Sequence, residues 1–294
     1  MSNTAASVAR QASLLMVAST VQKAISFFAF TLAARWLGAE QIGGYFYALS
    51  LSSLAGAWTD LGITPVAIRA FASSESQGWA VVRRGLWAKL FLIPLAIAAA
   101  LLYGTALSTQ REGFVPILVL ALCVMAADAL SLLGYGVLRG RQRLEKESLG
   151  LVIGQGLSGI GLVGFVWLGW GVVGAVGALL LASVWHVAWS AYWIRALGTQ
   201  PFTEKISWRE LAQQALPFAL SGIFVRFYSS VDAMLLKRFF DEAVVGQYAV
   251  AYKLTYALQF LPMAFVAALY PALSAAYARR DEQALVHTAL GSWR

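Results

Sequence analysis

No Asp, Glu, Lys or Arg interrupts the stretch Leu149–Ile194, which reads LGLVIGQGLSGIGLVGFVWLGWGVVGAVGALLLASVWHVAWSAYWI. A helix that crosses a bilayer needs roughly 20 apolar residues, so this stretch is too long for one crossing. The triplet Gly169-Trp170-Gly171 supplies a turn near its middle. The stretch therefore predicts two adjacent transmembrane helices, and it sets the fold class of the whole chain.

The rest of the chain has the same apolar character. Apolar residues make up 60% of the sequence and charged residues 12%, with a mean hydropathy of +0.68. Soluble domains have about 45–50% apolar and about 25% charged residues. We expect an all-α integral membrane protein, because a bilayer accepts apolar helix faces that water would not. Apolar runs between charges and turn residues predict about eight spans: 12–34, 41–61, 87–108, 114–137, 148–168, 171–193, 211–236 and 243–275.

The basic residues predict the orientation in the membrane. Most of the 22 lysines and arginines fall on one side if the N-terminus is cytoplasmic, for example in the cluster that runs from Arg139 to Lys146. The positive-inside rule therefore favours two cytoplasmic termini. The same asymmetry explains the net charge of +8 without nucleic acid, because no basic cluster lies in a soluble module.

Several classes of site are not expected from this composition. The chain has one cysteine, Cys123, and two distant histidines, His186 and His287, so we expect neither disulfides nor a metal site. The sequence has no GxxxxGK[ST] motif for binding nucleotide phosphates. We expect no cofactor and no enzymatic activity, since the loops are too short to hold a soluble active site.

An internal repeat connects the two ends of the chain. A shift of 203 residues aligns two spans and the short acidic loop between them. The aligned pairs are Lys23 with Arg226, Leu32 with Leu235, Arg35 with Arg238, Gly43 with Gly246, Tyr45 with Tyr248 and Ala48 with Ala251. Six spans separate the copies, so both have the same orientation, as in transporters with parallel repeats. We expect a six-helix lobe at 1–200 and the first two helices of a second, truncated lobe at 201–294. The alternative is a natural protein of six spans plus two.

The ionisable residues within the spans are the candidates for binding a substrate. They are Lys23, Asp60, Asp128, Arg226, Asp232 and Lys253. Each costs about 2.5–3.5 kcal/mol in lipid, so we expect them to face the protein interior. One interpretation makes them internal ion pairs, such as Lys23 with Asp128. The other places Lys23 and Arg226 on opposite walls of a hydrated cationic cavity, which suits an anion such as a diphosphate.

Two local patterns predict finer features. Ser207 and Glu210 have the spacing of a capping box, so a helix should begin there and lead into the seventh span. Gly150 and Gly154 fit a small-xxx-small face, for which we expect close helix packing rather than hinge motion.

Longer motifs carry a resemblance to a known family. They read RWLGAEQIGGY at 35–45, DLG at 60–62 and IR at 68–69, then LPFALSG at 216–222, GQY at 246–248 and YPALS at 270–274. These motifs resemble both lobes of the polysaccharide-transporter (Wzx-type) flippases, including O-antigen flippases. That family is part of the multidrug/oligosaccharidyl-lipid/polysaccharide exporter superfamily, which also contains the MATE transporters.

The resemblance implies a two-lobed exporter in the bacterial inner membrane. Such a protein moves undecaprenyl-diphosphate-linked oligosaccharides to the periplasmic leaflet by alternating access, for lipopolysaccharide or exopolysaccharide biosynthesis. Its partners would be membrane lipids and the polysaccharide polymerase and chain-length machinery.

Two other classes of function remain as alternatives. A multidrug or cation-coupled antiporter of the same superfamily would use acidic residues, and here Asp128 and Asp232 could serve. A membrane enzyme acting on lipid-linked sugars would need carboxylates or metal ligands gathered in one loop, and the sequence has no such loop.

Overall fold

The computed structural model describes residues 2–107, 111–198 and 205–258. These residues form eight α-helices and no strand, as expected for an all-α membrane protein. The helices are α1 (Ser2–Asp60), α2 (Ile63–Ser73), α3 (Glu75–Leu107), α4 (Arg111–Gly140), α5 (Leu144–Trp167), α6 (Gly171–Ala196), α7 (Trp208–Phe239) and α8 (Glu242–Leu258). Within the described ranges, six helices are long and apolar enough to cross a membrane.

The first and longest of these helices contains the first two predicted spans. Gly38 interrupts α1 with φ 79° and ψ 169°, a backbone conformation that glycine adopts without steric cost. The apolar part of α1 is 44 residues long, about twice the length of one crossing. The limbs 2–37 and 39–60 therefore correspond to the predicted spans 12–34 and 41–61.

The third to seventh predicted spans coincide with α3 to α7, although several of these helices begin earlier than predicted. The fifth predicted span ends one residue beyond α5, and residue 108 of the third lies outside the described residues. The turn between α5 and α6 is where the sequence placed it, with Gly169 at φ 82° and Gly171 at φ 55°. The predicted spans do not include α2, a short helix that buries Ile63, Val66 and Phe71. Part of the eighth predicted span lies in α8, whereas 259–275 lies outside the described residues.

The N-terminus of α7 is fixed by a cap and by an arginine from α3. The Ser207 hydroxyl oxygen accepts a hydrogen bond of 3.1 Å from the Glu210 backbone N–H, which confirms the predicted helix start. The Nε of Arg84 donates to the carbonyl oxygen of Ile206 at 3.1 Å, and its guanidinium lies 4.7 Å from the centre of the Trp208 ring. These contacts hold α7 against the helices that precede it.

The chain divides into two compact units, Met1–Ala251 and Tyr252–Arg294. The main core of the first unit consists of apolar residues from α1, α3, α4, α5 and α6, joined by Ala249. A smaller cluster packs α2 against the adjoining ends of α3, α4 and α7. The lobe boundary proposed at residue 200 stays a prediction.

The two copies of the sequence repeat contact each other within the first unit. A Cβ on Gly43 would overlap the backbone carbonyl of Glu242, and one on Gly246 would overlap the carbonyl of Ala39. The shift of 203 residues that aligns Gly43 with Gly246 also aligns Ala39 with Glu242. The contact is therefore reciprocal, as expected when a two-fold axis relates two parallel repeats.

We expect Gly246→Ala to destabilise the protein by about 1–3 kcal/mol, because the added methyl group has no room between α8 and α1. The control is Gly177→Ala, where nothing lies within 4 Å of the new Cβ and alanine favours the helix. Thermal unfolding in detergent measures both variants. Equal midpoints for the two would show that the close approach of the repeats does not contribute to stability.

Candidate functional site

A cavity of about 640 Å³ lies within the first compact unit. Residues of α1, α4, α5, α6 and α7 form most of its wall. Three of the predicted site residues, Asp60, Asp128 and Arg226, line it together. The structure thus brings candidates from three distant parts of the sequence into one site.

Arg226 and Asp128 are the accessible charges near the middle of their helices. Nη1 of Arg226 donates a hydrogen bond of 2.9 Å to the Ser53 hydroxyl on α1. Asp128 on α4 lies next to Ser183 on α6 and close enough to Arg226 for their charges to attract each other. Both side chains are exposed, so a solute in the cavity can reach them.

Asp60 is held at the junction of α1 and α2 by a cation that the sequence did not single out. Nζ of Lys89 lies 2.7 Å from Oδ1 of Asp60, and the Thr64 hydroxyl donates to the same oxygen at 2.5 Å. The Lys89 side chain is 0% exposed and that of Asp60 is 18% exposed. Asp60 therefore belongs to a buried ion pair and has one edge on the cavity.

A second ion pair joins α4 to α5. Nε of Arg139 donates to both carboxylate oxygens of Glu147, at 2.9 and 2.8 Å. Glu147 is fully buried and both residues line the cavity. From the sequence, Arg139 belongs to a cytoplasmic basic cluster, and its pairing with Glu147 is not predicted. One signal in the sequence could have indicated the pair. Glu147 lies in the first turn of a helix and only eight residues after Arg139.

The charges on the described wall nearly balance. Three carboxylates and two guanidinium groups line the cavity, and Lys89 stands behind one of the carboxylates. This differs from the predicted excess of cations, because Lys89 and Arg139 each neutralise a carboxylate that the helices bury. The observed wall carries charged and polar side chains among apolar ones, and its charges are close to balance.

The other predicted site residues lie elsewhere. Lys23 is half-buried on α1 and is not among the residues that line the cavity. Asp232 accepts hydrogen bonds from the Tyr248 hydroxyl and from the backbone N–H of Ala233, so it ties α7 to α8. Lys253 lies on α8 in the second compact unit. A role for these three residues in substrate binding stays a prediction.

Two glycines of α5 allow large side chains to form the wall. A Cβ on Gly150 would lie 2.7 Å from the Tyr135 hydroxyl, and one on Gly154 would overlap the His186 ring. Tyr135 and His186 line the cavity, with their ring centres 5.8 Å apart. The small-residue face of α5 therefore packs closely at Gly150 and Gly154, as expected from the sequence, while hinge motion stays the alternative.

Comparison with known proteins gives one family. Residues 8–276 match the family of polysaccharide biosynthesis proteins. The probable low-salt glycan biosynthesis flippase Agl15 of Haloferax volcanii is 24% identical over 279 residues, which are 94% of this chain and 57% of that protein. The chain thus spans little more than half the length of this curated relative.

Two solved structures that share the fold are described as transporters. An inward-facing multidrug resistance MATE family transporter of the MOP superfamily is 22% identical, with a TM-score of 0.69. The match covers 90% of this chain and 66% of the transporter's chain. A MOP superfamily transporter from Pyrococcus furiosus, described as having a binding pocket of reverse polarity, is 21% identical, with a TM-score of 0.59. The match covers 97% of this chain and 68% of the transporter's chain. At these identities the likeness establishes the fold alone, that of a multi-pass membrane protein.

Proposed function

The chain belongs to the polysaccharide biosynthesis protein family, and from this membership we propose that it is part of a flippase for an undecaprenyl-diphosphate-linked oligosaccharide. The observation that carries the proposal is a cavity of about 640 Å³ inside an apolar helical protein, whose wall includes both charged and uncharged polar side chains. Polar groups within a membrane protein are costly unless water or a solute satisfies them. A saccharide is a solute with many hydroxyl groups, and it needs such a cavity to cross the bilayer.

The paired charges of the wall fit a carbohydrate. A carboxylate held by a cation keeps free lone pairs for sugar hydroxyls, while its net charge is cancelled. Asp60 has this property, since Lys89 and Thr64 bind Oδ1 whereas Oδ2 accepts only a long bond of 3.4 Å from the Thr64 backbone N–H. The Asp60 edge of the wall can therefore accept hydrogen bonds from a neutral sugar.

Arg226 is the proposed contact for the diphosphate. Among the described residues that line the cavity, it is the cation that forms no hydrogen-bonded ion pair with a carboxylate. A guanidinium presents several donors to phosphate oxygens, and such charge-assisted bonds are stronger than neutral ones. The incoming diphosphate would compete with Asp128 for the positive charge of Arg226.

The wider setting follows from this role. We place the protein in a bacterial inner membrane with a cytoplasmic N-terminus, with 1–200 as the first lobe and 201–294 as the start of a second. The cavity would open to each side in turn, and the polymerase and chain-length machinery would use the delivered saccharide. A cation-coupled multidrug antiporter is the second candidate, and the exposed carboxylate of Asp128 within the cavity favours it.

Deletion of the gene tests the proposal. We expect loss of surface polysaccharide and accumulation of the lipid-linked intermediate on the cytoplasmic face, both reversed by the wild-type gene. The control is drug susceptibility of the same strain, which the flippase hypothesis expects to be unchanged. Normal polysaccharide together with increased drug sensitivity would reject the flippase and support the antiporter.

A further inference from the structure

The cavity wall has two uncharged amide side chains with unused hydrogen-bonding groups. Gln22 on α1 and Gln155 on α5 both line the cavity and are half-buried. Neither amide forms a hydrogen bond to another residue of the described ranges. Each amide has two N–H donors and a carbonyl acceptor, which are available to water or to a solute in the cavity.

Two aromatic residues on neighbouring helices are in the same situation. The Tyr135 hydroxyl and Nε2 of His186 are buried and have no hydrogen-bond partner among the described residues. Tyr135 is 4% exposed, and both residues belong to the cavity wall. Buried polar groups in proteins almost always have partners, so unpaired groups gathered at one cavity call for water or a bound solute.

These four residues differ in chemistry from the charged residues of the wall. None of them carries a full charge at neutral pH, whereas Arg226 and Asp128 are charged. Uncharged groups that both donate and accept suit hydroxyl and acetamido groups, which do the same. They suit a diphosphate poorly, because it only accepts hydrogen bonds and is bound most strongly by cations.

We infer that Gln22, Gln155, Tyr135 and His186 form a saccharide subsite that is chemically separate from the diphosphate contact at Arg226. This inference rests on the proposed function and adds that the saccharide and the diphosphate bind at separate places within the cavity. The subsite lies on α1, α4, α5 and α6, all within the first proposed lobe, whereas Arg226 lies on α7. The glycan would therefore be recognised by one lobe and the diphosphate by the first helix of the other.

Binding of two lipids to the purified protein separates the two contacts. The probes are undecaprenyl diphosphate without sugar and the lipid-linked saccharide fraction extracted from cells that express the chain. The double variant Gln22→Leu/Gln155→Leu is expected to weaken binding of the saccharide-bearing lipid by about tenfold or more, as for the loss of one or two hydrogen bonds. Its binding of the sugar-free lipid should not change, whereas Arg226→Gln should weaken the binding of both.

Controls connect the result to the hydroxyl chemistry. Tyr135→Phe removes only the unpaired hydroxyl and should weaken binding of the saccharide-bearing lipid alone. Gln77→Leu, an exposed glutamine at the start of α3 outside the cavity, should change neither affinity. Equal effects of the double variant on both lipids, or no effect on either, would overturn the subsite. Failure of the wild-type protein to bind either lipid would instead overturn the proposed function.

Discussion

Replacing Arg226 with glutamine is expected to lower polysaccharide export by about ten- to a hundredfold, the range that corresponds to losing one charge-assisted hydrogen bond. Glutamine keeps a polar group next to Ser53 but removes the positive charge and most of the donors. The protein should still insert and fold, because Arg226 is exposed in the cavity and no buried carboxylate depends on it. Export is measured as surface polysaccharide in the deletion strain, at matched amounts of membrane-inserted protein.

Three further variants define the role of this arginine. Arg238→Gln removes an exposed arginine from the same helix but outside the cavity, and it should export normally. Arg226→Lys should retain part of the activity, since lysine keeps the charge without the planar fork. Lys23→Gln should have a smaller effect than Arg226→Gln, because Lys23 does not line the cavity. Normal export by Arg226→Gln would reject a diphosphate contact at this position.

The sequence predicted the membrane helices because the underlying signal is local. Apolar runs of span length, the Gly169–Gly171 turn and the cap at Ser207 each depend on a few neighbouring residues, and the structure has all three. The short helix α2 escaped prediction because it is too short to span a bilayer. Its apolar face is buried only because other helices happen to pack over it.

The internal repeat predicted a relation between distant parts of the chain. It predicted that two pairs of spans are equivalent, and the structure brings Gly43 and Gly246 into reciprocal contact. The sequence did not predict this contact, since glycines are frequent throughout the chain. Close approach of two backbones becomes visible only when both helices are in place.

The site was predicted only in part. A charged residue within an apolar span is easily recognised in the sequence, whereas the residue that forms an ion pair with it is not. Asp60, Asp128 and Arg226 stand out in apolar runs and lie in one cavity. Lys89 and Arg139 lie near predicted cytoplasmic ends, where cations are common, so nothing local distinguished them from surface residues. Their pairing with Asp60 and Glu147 depends on how α1, α3, α4 and α5 pack.

Replacing Asp60 with alanine is expected to destabilise the protein by about 3–5 kcal/mol, the usual cost of leaving a buried charge without its partner. Lys89 is 0% exposed and has Asp60 as its carboxylate, with the Thr59 carbonyl at 3.4 Å as a second acceptor. Removing Asp60 leaves the ammonium group in an apolar surrounding with one long hydrogen bond. Thermal unfolding of the purified protein in detergent measures the loss.

The double variant Asp60→Ala/Lys89→Met distinguishes the ion pair from substrate binding. It removes both charges, so most of the lost stability should return, because replacing a whole buried pair by apolar groups is often neutral. If export returns together with stability, Asp60 acts only by holding α1 against α3. If stability returns while export stays low, the free edge of Asp60 contacts the saccharide. A double variant no more stable than Asp60→Ala alone would show that Lys89 does not need its partner, contrary to the expectation from its burial.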